Sequence, residues 1–127
     1  MMKKNNVLNH YRMNLQLGMF AFIMHRITGI MLLVCGVFYL VSLSVIHFGT
    51  EAFDAMLVIY DLPVFHAIGS VFVIALFWHA LNGLRILIID TLNAVYMQRA
   101  LTIIVIVLFA AGTLFYLMHI FPGWIRL

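Results

Sequence analysis

The chain has 127 residues, of which 66% are hydrophobic and 9% are charged, and its formal net charge is +3 at pH 7. A water-soluble domain usually carries about 25% charged residues, so this composition excludes a soluble enzyme. The single cysteine, Cys35, lies in an apolar run and excludes a disulfide framework or a cysteine-rich metal site. The excess of basic residues indicates orientation in a lipid bilayer rather than nucleic-acid binding.

The first apolar stretch, 27–50, contains no charged residue. It exceeds the about 20 residues that an α-helix needs to cross the hydrocarbon layer. It predicts a first transmembrane helix near 22–47. The preceding segment, 5–16, is polar and follows Lys3 and Lys4, which does not fit a cleaved signal peptide.

The second helix follows a short acidic connection that contains Glu51, Asp54 and Asp61. The uncharged stretch after it predicts a second transmembrane helix near 62–89. Pro63 would lie in the first turn, where its missing N–H costs no hydrogen bond. Asp61 would be the N-cap of this helix.

The third uncharged stretch, 100–125, predicts a helix near 100–121 that Pro122 and Gly123 would end. A membrane span must satisfy its own backbone hydrogen bonds, and helices do so. We therefore expect an all-α integral membrane protein with three transmembrane helices, forming one membrane-anchor domain over 1–127.

The loop charges predict the orientation of the chain. Three acidic residues and no Lys or Arg lie between helices one and two, whereas Arg99 lies between helices two and three. The positive-inside rule places the N-terminus in the cytoplasm and the C-terminus outside. The absence of a transit-like leader favours a bacterial or archaeal plasma membrane. The other basic residues behind this prediction are Lys3, Lys4, Arg12 and Arg26.

Ionisable groups inside a span are expensive and usually functional. His79 lies roughly 10–16 Å from the cytoplasmic end of helix two at 1.5 Å per residue. Asn82 and Gly83 follow at i+3 and i+4 and share its face. A histidine beside a glycine notch suits a flat cofactor, and imidazole is a common axial ligand of haem iron. The alternative is a histidine hydrogen-bonded to a neighbouring helix.

Two adjacent basic residues, His25 and Arg26, lie near the start of helix one. It could bind an anion such as a haem propionate, or donate to a quinone carbonyl. The alternative is snorkelling of the two side chains to the membrane surface. Arg85 and Asp90 could join Arg26 in one polar cluster, or form an ordinary exposed ion pair.

Two further histidines, His66 and His119, fall near the external interface. They could face each other across two helices and hold a second, outer haem, or contact only water and lipid. His66 lies roughly 20 Å from His79 along the same helix and points to a largely opposite face. These two histidines therefore cannot ligate the same iron.

Two motifs in order carry a family resemblance. The segment 25–29 reads HRITG, and the segment 79–90 reads HALNGLRILIID. Together they resemble the two signatures of the cytochrome b556 membrane-anchor subunit of succinate dehydrogenase, which is respiratory complex II. The resemblance covers nearly the whole chain. It departs at Phe22, where the family has a serine that contributes to its quinone site, and at Ile86, where the family usually has His or Phe.

The resemblance implies that His79 is an axial ligand of one haem b shared with a second small membrane-anchor subunit. Arg26 would lie near the quinone head group. The role of the missing serine would be lost or would pass to Asn14, Gln16 or Thr28. His25, Arg26 and Arg85 would lie near the haem propionates. An iron–sulfur subunit and a flavoprotein subunit, carrying the iron–sulfur clusters and FAD, would dock on the cytoplasmic face. This subunit alone would have no succinate chemistry.

Three other interpretations fit the same residues. The complex could run as a quinol:fumarate reductase. The chain could be an anchor without haem, in which His79 donates a structural hydrogen bond. It could also be a small non-redox membrane protein, which would have no cofactor and no electron-transfer partner.

Overall fold

A computed structural model describes the backbone of residues 2–121 and the side chains of 16–119 and 121. Within these residues every element is helical. The α-helices are α1 (Met2–Leu43), α2 (Thr50–Tyr60), α3 (Pro63–Leu92) and α4 (Gln98–Phe115). Two 3₁₀ segments (Ser44–Phe48 and Val95–Met97) and a π-helical segment (Tyr116–Ile120) join or extend them.

Three helical spans are long and apolar enough to cross a membrane: Gln16–Phe48, Pro63–Leu92 and Val95–His119. They confirm the predicted all-α fold with three transmembrane helices. Helix α1 begins well before the expected start near residue 22. The polar segment 5–16 is therefore helical as well. Residues 122 and 123, expected to end helix three, lie outside the described residues.

The acidic connection between the first two spans folds into α2, a helix that the sequence pattern did not predict. The chain changes direction at Gly49, whose φ of 103° is rarely adopted by residues that carry a side chain. At the far end Tyr60 packs on Tyr39 of α1 and on Phe65 of α3, with ring centroids 6.1 and 5.3 Å apart. These aromatic contacts tie α2 to both spans.

The expectation that Asp61 caps α3 is wrong. The N-cap residue is Leu62, in an extended conformation and without a side-chain cap, and Pro63 takes the first helical position as predicted. Asp61 instead ends α2, where its N–H donates to the carbonyl oxygen of Leu57 (3.0 Å). The fixed φ of proline and its lack of an N–H let α3 start without a side-chain cap.

The spans α1, α3 and α4 contact one another and form a three-helix bundle. Trp78 packs edge-on against Phe109 of α4, with 5.0 Å between the ring centroids. Many other large apolar side chains are exposed, among them Leu33 and Leu40 with 67% and 69% exposure. In a bilayer such side chains would contact lipid tails, which are equally apolar. The core consists of Ala21, Trp78 and Val105, with Met24, Leu81, Ile106 and Phe109 packed against it.

Helix α3 ends at Leu92 because Asn93 adopts the left-handed conformation, with φ 49° and ψ 34°. Asparagine tolerates this conformation better than most residues. The N–H of Ala94 then donates to the carbonyl oxygen of Ile89 (3.0 Å). This turn sends the chain into α4, which runs back beside α3.

Candidate functional site

Two histidines meet face to face between α1 and α3. The rings of His25 and His79 stack with their centroids 3.9 Å apart and an angle of 11° between their planes. The two helices run antiparallel, because Ala21 meets Asn82 while Met31 and Val71 line a common groove. The histidine of each sequence motif is thereby brought to one place.

Each histidine lies against a glycine of the opposite helix. A Cβ atom on Gly29 would stand 3.0 Å from Cε1 of His79, and one on Gly83 would stand 3.4 Å from Cε1 of His25. Each glycine follows its own histidine by four residues, so both helices carry the same H-x-x-x-G pattern. Because the helices pack antiparallel, the histidine ring of each helix lies beside the glycine of the other helix.

The ring of His79 is oriented by the backbone of α1. Its Nδ1 lies 3.1 Å from the carbonyl oxygen of His25. A carbonyl oxygen can only accept a hydrogen bond, so Nδ1 must carry the proton and donate it. A neutral imidazole protonated at Nδ1 has its lone pair on Nε2, the state in which Nε2 can bind a metal.

Nε2 of His79 is not fully buried, and His79 as a whole is partly exposed. Within the described part of the chain Nε2 makes no hydrogen bond, and it is not one of the fully buried polar atoms that lack a partner. The site therefore offers one basic imidazole nitrogen in the α1–α3 pair. The described residues bring together no group of three or more His, Cys, Asp or Glu side chains, so a metal at Nε2 would need ligands from elsewhere.

Thr28 contacts the same ring from α1. Its Oγ1 lies 3.2 Å from Nδ1 of His79. The hydroxyl also lies 2.8 Å from the carbonyl oxygen of Met24 and 3.0 Å from that of His25. The single hydroxyl proton serves these carbonyl groups, so Oγ1 is left to accept the Nδ1–H of His79.

Asn82 joins α3 to α1 one turn further on. Its Nδ2 donates to the carbonyl oxygen of Ala21 (2.8 Å), and both residues are 0% exposed. Its Oδ1 is buried without a partner. The prediction that Asn82 and Gly83 share the face of His79 agrees with this geometry, because both turn toward α1.

Arg85 lies inside the bundle, with 6% exposure. Its Nη1 donates to Oγ1 of Thr102 on α4 (2.8 Å), and that hydroxyl donates to the carbonyl oxygen of Gln98 (2.7 Å). Nε of Arg85 is buried without a partner. A guanidinium held by one neutral hydroxyl keeps unused donors for an anion.

The single cluster of Arg26 with Arg85 and Asp90 does not form within the described structure. Arg26 is exposed, and its guanidinium carbon lies 5.2 Å from the ring centroid of Phe22. Asp90 is exposed near the end of α3, whereas Arg85 turns inward to α4. Successive positions on a helix differ by about 100°, which separates Arg26 from the inward face that carries His25.

The two outer histidines lie at the far end of the bundle. His66 is in the first turn of α3, where its carbonyl oxygen accepts a hydrogen bond from Ser70 (2.8 Å). Tyr116 donates to the hydroxyl of Ser70 (3.0 Å) and so joins the π-helical segment to α3. His119 is exposed and packs on Phe115, with 4.9 Å between ring centroids. An outer haem between His66 and His119 stays a prediction.

The contribution of α4 to the site was not predicted from the sequence. Thr102 was not singled out, because a threonine in an apolar helix carries no signal of its partner. The sequence gives one indication of the contact between Thr28 and His79. Thr28 follows His25 by three residues and therefore lies on the same face of α1.

Comparison with known proteins gives two matches. Residues 1–120 match the family described as succinate dehydrogenase/fumarate reductase transmembrane subunit. A relative named succinate dehydrogenase 2 membrane subunit SdhC, from Mycobacterium tuberculosis, is 27% identical over 73 residues. That alignment covers 58% of this chain and 54% of the relative, so the chain spans about half the length of the curated protein it matches.

Proposed function

Since the chain belongs to the succinate dehydrogenase/fumarate reductase transmembrane subunit family, we propose that it anchors a succinate:quinone oxidoreductase and supplies one axial ligand to a b-type haem. The name of the mycobacterial relative favours the succinate-oxidising direction. His79 is the proposed ligand, and Nε2 is the ligating atom.

One observation carries this proposal. The carbonyl oxygen of His25 accepts a hydrogen bond from the Nδ1–H of His79, which leaves the lone pair of Nε2 free to bind a metal. Metal-bound histidines commonly donate their other ring N–H to a backbone carbonyl in this way. The glycine notches at Gly29 and Gly83 keep the two rings close to the helix axes. These features fit a haem better than they fit a purely structural histidine, whose outer nitrogen would seek a partner on a neighbouring helix.

The remaining polar residues of the site have separate roles in the proposal. Arg85 and His25 each have a ring or guanidinium nitrogen without a partner among the described residues, Nε of Arg85 and Nδ1 of His25, and the two residues bind the haem propionates. Arg26 lies at the bundle surface and donates to a quinone carbonyl. A haem held by these residues would supply one-electron storage. Thr28 offers a quinone only an accepting oxygen, because its proton is donated to the backbone.

We place the N-terminus in the cytoplasm on the positive-inside rule. The flavoprotein and iron–sulfur subunits dock on that side, and a second small anchor subunit provides the other axial ligand. The other cofactors of the reaction, FAD and iron–sulfur clusters, belong to the docked subunits. The surrounding membrane is a bacterial or archaeal plasma membrane.

The test is the haem content of the complex, isolated through a tag on this chain. A reduced-minus-oxidised absorption spectrum should show one b-type haem per complex. His79→Ala should abolish it, because the ligand is lost, whereas His47→Ala, an exposed histidine, should leave it unchanged. Normal haem content in His79→Ala would refute the ligand assignment. Two haems in the wild type would support the outer pair His66 and His119.

A further inference from the structure

Thr28 is the one side chain of α1, other than the stacked His25, that contacts the ring of His79 through a polar atom in the described part of the chain. We propose that Thr28 is a positioning residue: together with the carbonyl oxygen of His25, it holds the imidazole of His79 in the Nδ1–H tautomer and in the ring orientation that leaves Nε2 free. This inference rests on the proposed function only for its effect on the haem. The positioning itself is a property of this chain.

The hydroxyl of Thr28 has only one proton to donate. Oγ1 has three neighbours within hydrogen-bond distance, two of which are carbonyl oxygens. The shorter contact, to Met24 at 2.8 Å, is the usual back-bond of a helical threonine to the carbonyl four residues earlier. The hydroxyl proton is therefore committed to the backbone, and Oγ1 presents its lone pairs to His79.

Two acceptors fix the direction of the N–H bond of His79. Nδ1 lies between the carbonyl oxygen of His25 at 3.1 Å and Oγ1 of Thr28 at 3.2 Å. Two acceptors on one helix define the direction of the N–H bond more tightly than one acceptor does. A ring turned over about its Cβ–Cγ bond would put a carbon atom there and lose both hydrogen bonds.

The hydrogen bond from Nδ1 also affects the electronic properties of the ligand. When a ligating histidine donates its other ring N–H in a hydrogen bond, the basicity of the ligand rises, and removal of such an acceptor typically lowers metal affinity about 10–100-fold. Stronger donation from the imidazole favours the ferric state. Thr28 should therefore lower the midpoint potential of a haem that His79 ligates, by acting through the imidazole of His79.

The variants are Thr28→Val, which keeps the shape of threonine without the hydroxyl, and Thr28→Ser, which restores the hydroxyl. Thr113→Val is the matched control, because Oγ1 of Thr113 is buried without a partner and lies on α4. If Thr28→Val fails to fold, Thr28→Ala replaces it. All variants are made in the full chain.

The haem-independent measurement is ¹⁵N NMR of histidine-labelled full chain in lipid bilayers, with His79 assigned by comparison with His79→Gln. Wild type, Thr28→Ser and Thr113→Val should show Nδ1 protonated and Nε2 unprotonated. Thr28→Val should show a mixture of both tautomers. An unchanged tautomer in Thr28→Val would overturn the positioning role.

The haem-dependent measurement is made on the complex. Thr28→Val should retain haem about 10-fold less tightly and shift its midpoint potential upward, and Thr28→Ser should restore both values. An NMR change without a shift in potential would overturn the electronic effect. Absence of haem from the wild-type complex would instead refute the proposed function, and the NMR result would still decide whether Thr28 positions His79.

Discussion

The guanidinium of Arg85 on α3 is held by the hydroxyl of Thr102 on α4, with 2.8 Å between Nη1 and Oγ1. Thr102 is nearly fully buried, with 1% exposure. The hydrogen bond therefore lies in the interior of the bundle and joins α3, which carries the proposed ligand His79, to α4. It also turns the most deeply buried charge of the described chain away from the lipid.

Thr102→Val should destabilise the bundle, because it leaves the guanidinium without its hydroxyl acceptor. Hydrogen bonds in membrane bundles are worth up to about 1.7 kcal/mol, and those to charged groups lie at the upper end. We expect a loss of about 1–2 kcal/mol in the free energy of unfolding in detergent. Thr102→Ser keeps the hydroxyl and should lose less than half as much. Equal stability of Thr102→Val and wild type would show that the contact contributes nothing.

Gly29→Ala and Gly83→Ala should differ. A Cβ atom on Gly29 would stand 3.0 Å from Cε1 of His79, so the ring must shift by a few tenths of an ångström, which disturbs its hydrogen bond to the carbonyl oxygen of His25. On Gly83 the corresponding distance to His25 is 3.4 Å, at the edge of ordinary contact. Haem retention by the complex should fall several-fold in Gly29→Ala and stay near wild type in Gly83→Ala. The reverse order would contradict the assignment of His79 as the ligand.

Asn82 should tolerate leucine better than aspartate. Asn82→Asp replaces the amide that donates to Ala21 with a second acceptor in a fully buried place. We expect it to cost more than about 2 kcal/mol of unfolding free energy. Asn82→Leu loses one hydrogen bond but also removes the buried, unpartnered Oδ1, and should stay within about 1 kcal/mol of wild type. Denaturant unfolding of the two variants tests the ranking, and a leucine variant less stable than the aspartate variant would refute it.

Arg26→Gln should affect electron transfer without affecting the fold. Arg26 is exposed, and its described contact is with the Phe22 ring, an interaction worth about 0.5–1 kcal/mol at such sites. If Arg26 donates to a quinone, quinone reduction by the complex should fall at least about 10-fold, because a hydrogen bond to a charged group is worth about 1.5–3 kcal/mol. Succinate oxidation by an artificial dye should continue. Phe22→Ala is the control, and an unimpaired quinone rate in Arg26→Gln would exclude the proposed contact.

The three spans could be predicted because hydropathy is a local property, and about 20 uncharged, apolar residues in a row rarely occur outside a membrane span. The place of His79 within its span follows from the same counting. The packing of α1 against α3 at Gly29 and Gly83 also left a signal, since the two H-x-x-x-G patterns stand in the sequence.

The remaining features depend on how the helices turn about their own axes. The rotation of α3 about its axis decides whether Arg85 faces Arg26 or Thr102. Arg85 and Thr102 are 17 residues apart in the chain, and partners at that separation form no local sequence pattern. The same applies to Thr28, whose contact with His79 spans 51 positions. Helix α2 was missed because its eleven residues, Thr50–Tyr60, are too short for a span and include two acids.

The bond between Arg85 and Thr102 also bears on how the protein is made. The ribosome releases α1 and α3 before α4, so the two histidines can stack while α4 is still being synthesised. Until Thr102 enters the bilayer, the guanidinium of Arg85 lacks the hydroxyl that holds it in the finished bundle. A charged side chain without a partner costs up to about 2.5–3.5 kcal/mol on insertion scales, the value for the centre of a span. The last helix thus completes a site to which it contributes no ligand, and a nascent chain stopped before α4 should be a substrate for membrane quality control.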